Sequence, residues 1–129
     1  MESNVLVVDD SAAIRKILQR VLRQTGMAIK TIYEAGDGQE ALAVLGAQKV
    51  DLVLSDINMP KMDGLQLLAS IKASAQWRQI PVMMITTEGG ETKVSEAVKL
   101  GAAGYVRKPF TADQIKEKLA GLLEPALAV

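Results

Sequence analysis

The sequence predicts one α/β domain, a three-layer sandwich in which a parallel sheet is covered by helices on both faces. Short β-branched or aliphatic runs alternate with amphipathic stretches of about 10–14 residues, the pattern of parallel strands joined by crossover helices. Five such units can be counted along the 129 residues, of which 49% are hydrophobic. That length suits one core and is too short for two domains of ordinary size, so residues 1–129 are expected to form a single domain.

The first strand is placed at Val5 to Val8. The helix after it carries Ile14, Ile17, Leu18, Val21 and Leu22 on one apolar stripe, and Gly26 follows as its stop. The second strand runs from Ile29 to Tyr33. Asp37 stands three residues before Glu40, which marks a capped helix start. The third strand covers Leu52 to Ser55, and Asp63 with Gln66 starts the next helix in the same way. Val82 to Ile85 and Gly104 to Arg107 are the fourth and fifth strands. Thr111 with Gln114 opens a last helix through Ile115, Leu119, Leu122 and Leu123 that ends before Pro125. Four of the strands are near-continuously apolar, as strands buried on both faces should be, and right-handed crossovers complete the sandwich.

Composition removes several function classes. The 15 basic and 15 acidic residues cancel, so no general field draws the chain to nucleic acid or an anionic membrane. No apolar run approaches the roughly 18 residues of a membrane span, and no basic segment followed by an apolar one opens the chain. A cytoplasmic location is expected. Cysteine and histidine are both absent, which excludes disulfides, thiolate nucleophiles, imidazole bases and phosphohistidine intermediates. Any phosphoryl chemistry must rest on carboxylates, hydroxyls, a lysine and a metal.

Those groups converge at one edge. Asp9 and Asp10 follow the first strand and Asp56 follows the third, at the carboxyl ends of strands where open parallel sheets bind ligands. Each acid alone has a plainer reading, as a helix cap or a turn former. Three carboxylates held together repel one another unless a cation sits between them, and Mg²⁺ suits oxygen donors of this kind. Thr86 ends the fourth strand and Lys108 the fifth, adding a hydroxyl and a point cation. Singly these are an ordinary strand residue and a solvated lysine. Together the set fits phosphoryl transfer to a carboxylate, with Asp56 as nucleophile, Asp9 and Asp10 holding a metal, and Lys108 and Thr86 meeting the equatorial oxygens.

Asp9-Asp10, the run Ser55-Asp56-Ile57-Asn58-Met59-Pro60-Lys61-Met62-Asp63-Gly64, Thr86, and Gly104-Tyr105-Val106-Arg107-Lys108-Pro109-Phe110 resemble the receiver domains of two-component response regulators. The similarity spans the chain and is greatest to the stand-alone chemotaxis regulators of the CheY type, which have no output domain. The resemblance implies a flavodoxin-like (βα)5 fold with strand order 2-1-3-4-5. It also implies a signalling protein, rather than an enzyme, in which Asp56 accepts a phosphoryl group from a sensor histidine kinase or a small acyl phosphate. Asp9, Asp56 and the backbone carbonyl of Asn58 would bind Mg²⁺, with Asp10 acting directly or through water. Lys108 would contact the phosphoryl oxygens and precede a cis peptide bond to Pro109.

Thr86 and Tyr105 take the switch role by the same resemblance, the hydroxyl moving to the phosphoryl group and the ring swinging inward. The face of the fourth helix, fifth strand and fifth helix would then change, offering Val94, Ala102, Tyr105, Phe110 and Lys118 to a partner such as a flagellar motor switch protein. The protein is expected to be a monomer when unphosphorylated. Two positions depart from the family pattern: Thr87, where a smaller residue is common, and Ile57, where the best-known chemotaxis regulators carry Trp. Asn58 and Glu88 match the chemotaxis pattern at positions that tune self-dephosphorylation, so a short-lived phosphoform is expected.

Other readings are a phosphorelay intermediate, a phosphate sink, an aspartyl phosphatase of the haloacid-dehalogenase kind, a flavin-binding module and an inert scaffold. The phosphatase needs a second Asp two residues after its nucleophile, and Asn58 stands there. The acidic loop from Asp9 to Ala13 lacks a phosphate cradle and would repel a flavin phosphate.

Overall fold

The computed structural model describes residues 2–86 and 91–120, with the backbone alone at 91 and 92. Five strands and five helices alternate: β1 (Ser3–Val8), α1 (Ala12–Gln24), β2 (Ile29–Ala35), α2 (Gly38–Ala47), β3 (Leu52–Asp56), α3 (Gly64–Ala73), β4 (Val82–Thr86), α4 (Glu91–Lys99), β5 (Gly104–Arg107) and α5 (Ala112–Leu119). The strands form one sheet in the order β2-β1-β3-β4-β5, every pair parallel. This is the α/β sandwich that the sequence predicts and the strand order that the family resemblance implies.

Side chains alternate across the sheet with a period of two, which divides the apolar residues between two cores. Val5, Val7, Leu52, Leu54, Met83 and Ile85 face α1 and α5, where Leu18, Leu22, Ile115 and Leu119 meet them. Leu6, Val8, Val53 and Met84 face the other way, onto Leu45 of α2, Leu67, Leu68 and Ile71 of α3 and Ala97 of α4. Each fully buried Leu or Ile contributes about 1.5–3 kcal/mol of transfer free energy, so the two layers fix the sheet against both helical faces. The central strands β3 and β4 are buried from end to end, and β1 over its last four residues, whereas the edge strands β2 and β5 expose Lys30, Glu34, Tyr105 and Arg107.

Strand ends shift outward from the sequence reading. β1 begins at Ser3, β2 runs on to Ala35, and Asp56 and Thr86 become the last residues of their strands. Backbone pairing extends past the apolar run because it is indifferent to side-chain polarity, and Asp56 pairs in register with Ile85. The α1 stripe is also narrower than its spacing suggests. Leu18, Val21 and Leu22 are buried, but Ile17 is 44% exposed beside Ile14, Pro109 and Phe110 at the mouth of an apolar pocket.

The three cap signals lie where expected. Asp63 with Gln66 and Thr111 with Gln114 form reciprocal capping boxes. Asp37 caps α2 by accepting the Glu40 N–H, yet the Glu40 carboxylate turns back to the Gly36 N–H and not to Asp37. The α1 stop combines Thr25, whose hydroxyl donates to the Leu22 carbonyl at 2.6 Å, with Gly26 at a φ of 75°, a conformation that favours glycine. Leu122, Leu123 and Pro125 lie outside the described residues.

Candidate phosphoryl-acceptor site

The parallel register brings four chain segments to one edge. Val8 pairs with Ser55, Asp56 with Ile85 and Thr86 with Arg107, so Asp9, Asp10, Asp56, Thr86 and Lys108 all emerge at the carboxyl ends of adjacent strands. Asp9 is 1% and Asp56 9% exposed, while Asp10 is open to solvent. One carboxylate oxygen from each of the three lies within 4.8 Å of the others. Lys108 closes the group, its Nζ 2.8 Å from Asp9 Oδ2 and 3.8 Å from Asp56 Oδ2.

Backbone donors fix the two buried acids. The Ser11 N–H donates to Asp9 Oδ1 and the Ile57 N–H to Asp56 Oδ1, both at 2.9 Å. Ser11, not either acid, caps α1 by accepting the Ile14 N–H, so the plain capping reading of Asp9 and Asp10 does not apply. Lys108 is held through its own backbone, which donates to the Thr86 carbonyl at 2.7 Å. The peptide bond from Lys108 to Pro109 is cis. Thr86 itself is buried at the same edge.

The charges do not balance. Burial pushes the Asp56 carboxyl up, the Lys108 ammonium pulls it down, Asp9 pushes it up, the Ile57 N–H lowers it and Asp10 raises it, with a net rise. A carboxylate perturbed by desolvation and specific charges at a sheet edge is a functional-site candidate. Two buried acids and one exposed acid against one lysine leave excess negative charge on an all-oxygen donor set, which fits a hard divalent cation such as Mg²⁺.

Arg15 and Lys93 escaped sequence reasoning, and Gly64 entered it only as the last residue of a family motif, with no role assigned. Gly64 donates its N–H to the Ile57 carbonyl at 2.8 Å, and a Cβ there would fall on the Asp56 carbonyl oxygen and 2.9 Å from Ile57 Cα. Arg15 of α1 donates from Nη1 to the Asp9 carbonyl and from Nε to Glu34 Oε1 at 2.9 Å, tying β1 to β2 behind the acids. Lys93 of α4 donates from Nζ to Asn58 Oδ1 at 2.6 Å. A single glycine or a surface lysine carries no sequence signal for such close approaches. The spacing of six residues from Asp9 to Arg15 is visible in the sequence but has no distinguishing chemistry of its own.

The residues expected on the partner face separate. Tyr105, 38% exposed, points outward with Lys118 Nζ 5.7 Å from its ring centroid, and both border a groove with Arg107 and Gln114. Val94 is half-buried, and Ala102 packs on the core beneath α2 and α3. Phe110 lies on the other side of β5, against the α1 core, and lines the pocket with Ile14 and Ile17. Thr87 and Glu88 lie outside the described residues.

Residues 5–120 match the response regulator receiver domain. The chain is 41% identical over 120 residues to chemotaxis protein CheY-3 of Vibrio cholerae serotype O1, covering 93% of this chain and 91% of that protein. It is 38% identical over 120 residues to chemotaxis protein CheY of Pseudomonas aeruginosa, covering 93% and 95% respectively. The crystal structure of chemotaxis protein CheY4 of Vibrio cholerae superposes with a TM-score of 0.85 at 33% identity, over 95% of this chain and all of that one. With its acid cluster and lysine on the carboxyl edge of a 2-1-3-4-5 sheet, this chain belongs to the response regulator receiver family.

Proposed function

We propose that this chain is a chemotaxis switch operated by phosphorylation of Asp56, with a sensor histidine kinase as donor. Family membership supports a phosphorylation-activated signalling role. The observation that carries the finer reading is the Asp56 carboxylate, buried among like charges with Lys108 Nζ 3.8 Å away. In the transfer, an Asp56 carboxylate oxygen bonds to phosphorus as the donor's bond to phosphorus breaks, the electron pair leaving with the donor. Lys108 is already in reach of both buried acids and meets the charge on the transferred group, while the Thr86 hydroxyl offers a donor from the end of β4. Asp9, Asp56 and the backbone carbonyl of Asn58 would hold Mg²⁺, with Asp10 direct or through water, and the ion supplies neutralisation of the phosphoryl charge.

The response is a shift between two states, biased by what the phosphoryl group contacts in each. Thr86 moves toward the phosphoryl oxygens and the exposed Tyr105 ring turns inward, changing the face of α4, β5 and α5. A flagellar motor switch protein is the proposed listener. Asn58 and Glu88 set how fast the phosphoryl group is lost. No helix among the described residues is long and apolar enough to cross a membrane, and we place the switch in the cytoplasm as a monomer.

Incubation with acetyl phosphate and Mg²⁺, followed by intact mass, tests the core of this reading. A gain of one phosphoryl group that vanishes in Asp56→Asn and in chelator is the expected result. A folded protein that gains no mass from acetyl phosphate or from a phosphorylated kinase would remove Asp56 as acceptor.

A further inference from the structure

Asn58 stands two residues beyond Asp56, in a segment whose backbone is pinned by the Gly64 N–H on the Ile57 carbonyl at 2.8 Å and by the Gly38 N–H on the Met62 carbonyl at 3.1 Å. The Asn58 side chain is exposed, so burial does not fix which end of its carboxamide turns which way. Lys93, 35 positions later and exposed on α4, removes that freedom by donating to Asn58 Oδ1 at 2.6 Å. An ammonium has donors only, and a carboxamide has one acceptor end and one donor end. Holding Oδ1 toward the lysine therefore leaves Nδ2 as the end available to oxygen atoms at the site.

We propose that Lys93 is a positioning residue for phosphoryl loss at Asp56, acting through Asn58; the inference rests on the reading of Asp56 as acceptor. In that hydrolysis a water oxygen bonds to phosphorus, and the acyl phosphate P–O bond breaks with its electron pair returning to the Asp56 carboxylate. The water proton leaves with inorganic phosphate or to solvent. Charge on the phosphoryl oxygens is met by donors already in place, and an Asn58 Nδ2 kept in one orientation is such a donor. Lys93 touches no reacting atom. Its effect passes through the amide, and the contact joins α4 directly to the acceptor segment.

The test is the decay of the phosphoform after removal of acetyl phosphate, followed by intact mass in Mg²⁺ buffer for the wild type, Lys93→Met, Lys93→Arg, Asn58→Ala and the Lys93→Met/Asn58→Ala pair. Lys93→Met is expected to slow decay about twofold to tenfold, the size of one hydrogen bond, with Lys93→Arg recovering most of the loss. In the Asn58→Ala background the Lys93→Met change should do nothing, because the group it orients is gone. An equal effect in both backgrounds would show a charge effect independent of Asn58 and overturn the proposal, as would wild-type decay in Lys93→Met. A wild type that never gains a phosphoryl group would instead overturn the Asp56 reading on which the proposal stands.

Discussion

Replacing Asp56 with Asn should stabilise the protein in metal-free buffer, although it removes the proposed acceptor. At an effective dielectric near 20, Lys108 at 3.8 Å attracts the Asp56 charge by about 4 kcal/mol. Asp9, with an oxygen inside 4.8 Å, repels it by about 3–4 kcal/mol on the same basis, and solvent-exposed Asp10 adds less. Burial is the largest contribution to the upward push on the Asp56 carboxyl, ahead of the Lys108 attraction and the Asp9 repulsion, and it tips the balance against the charged form. The Asn side chain keeps an oxygen for the Ile57 N–H and leaves Lys108 paired with Asp9. Solvent screens exposed Asp10, so the net gain is about 1–2 kcal/mol, or about 3–8 °C in Tm for a chain of this length. The pH dependence follows from the direction of the shift. With its pKa raised on folding, Asp56 binds protons more tightly in the native state, so wild-type stability falls as pH rises through its titration. The advantage of Asp56→Asn is therefore full at neutral pH and disappears below the ordinary carboxylate range, where the group is neutral in both states. Urea unfolding in chelator across that range measures it. An Asp56→Asn variant no more stable than wild type at neutral pH, or an advantage that grows on acidification, would refute the charge accounting.

Two further substitutions probe the frame of the site. Gly64→Ala sets a methyl group against the Asp56 carbonyl and Ile57 Cα, where backbone must move, and should cost about 2–4 kcal/mol in urea unfolding. Lys108→Met strands Asp9, whose side chain is 2% exposed, without its cation. Breaking such a pair costs about 3–5 kcal/mol when nothing relieves it. Asp9 keeps the Ser11 N–H at 2.9 Å, so a loss of about 2–3 kcal/mol is expected from urea unfolding near neutral pH in chelator.

The fold was readable because its signals are redundant. Continuous apolar runs in β1, β3 and β4 and three cap pairs each point to the same alternation of elements. The acids and Lys108 were readable because polar groups at the ends of apolar strands stand out, and the parallel register then gathers them at one edge without further instruction. Contacts between segments that no local pattern links were not readable. Lys93 meets Asn58 across 35 positions of the chain, and Phe110 packs on the same core as Ile14 from the far end of the sequence. Ile17 obeyed the helical period and still lies exposed, since period assigns a face but not how far the neighbouring element covers it.

The site sits where the fold can bear its cost. The strands that deliver the acids, β1 and β3, are packed between the two apolar cores, and the like charges gather only at the last residue or just past it. Electrostatic strain at that edge is then carried by the packed layers as a whole, which change little when one carboxylate is neutralised or esterified. The elements that hold the acids are the buried β1 and β3, whereas those within reach of them through Lys108 and Asn58 are β5 at the sheet edge and α4 on the surface. A change of charge at Asp56 therefore meets a buried side, β1 and β3, and a more exposed side, β5 and α4. In the proposed switch the acceptor would thus be fixed by the centre of the sheet, and the response would fall to α4, β5 and α5.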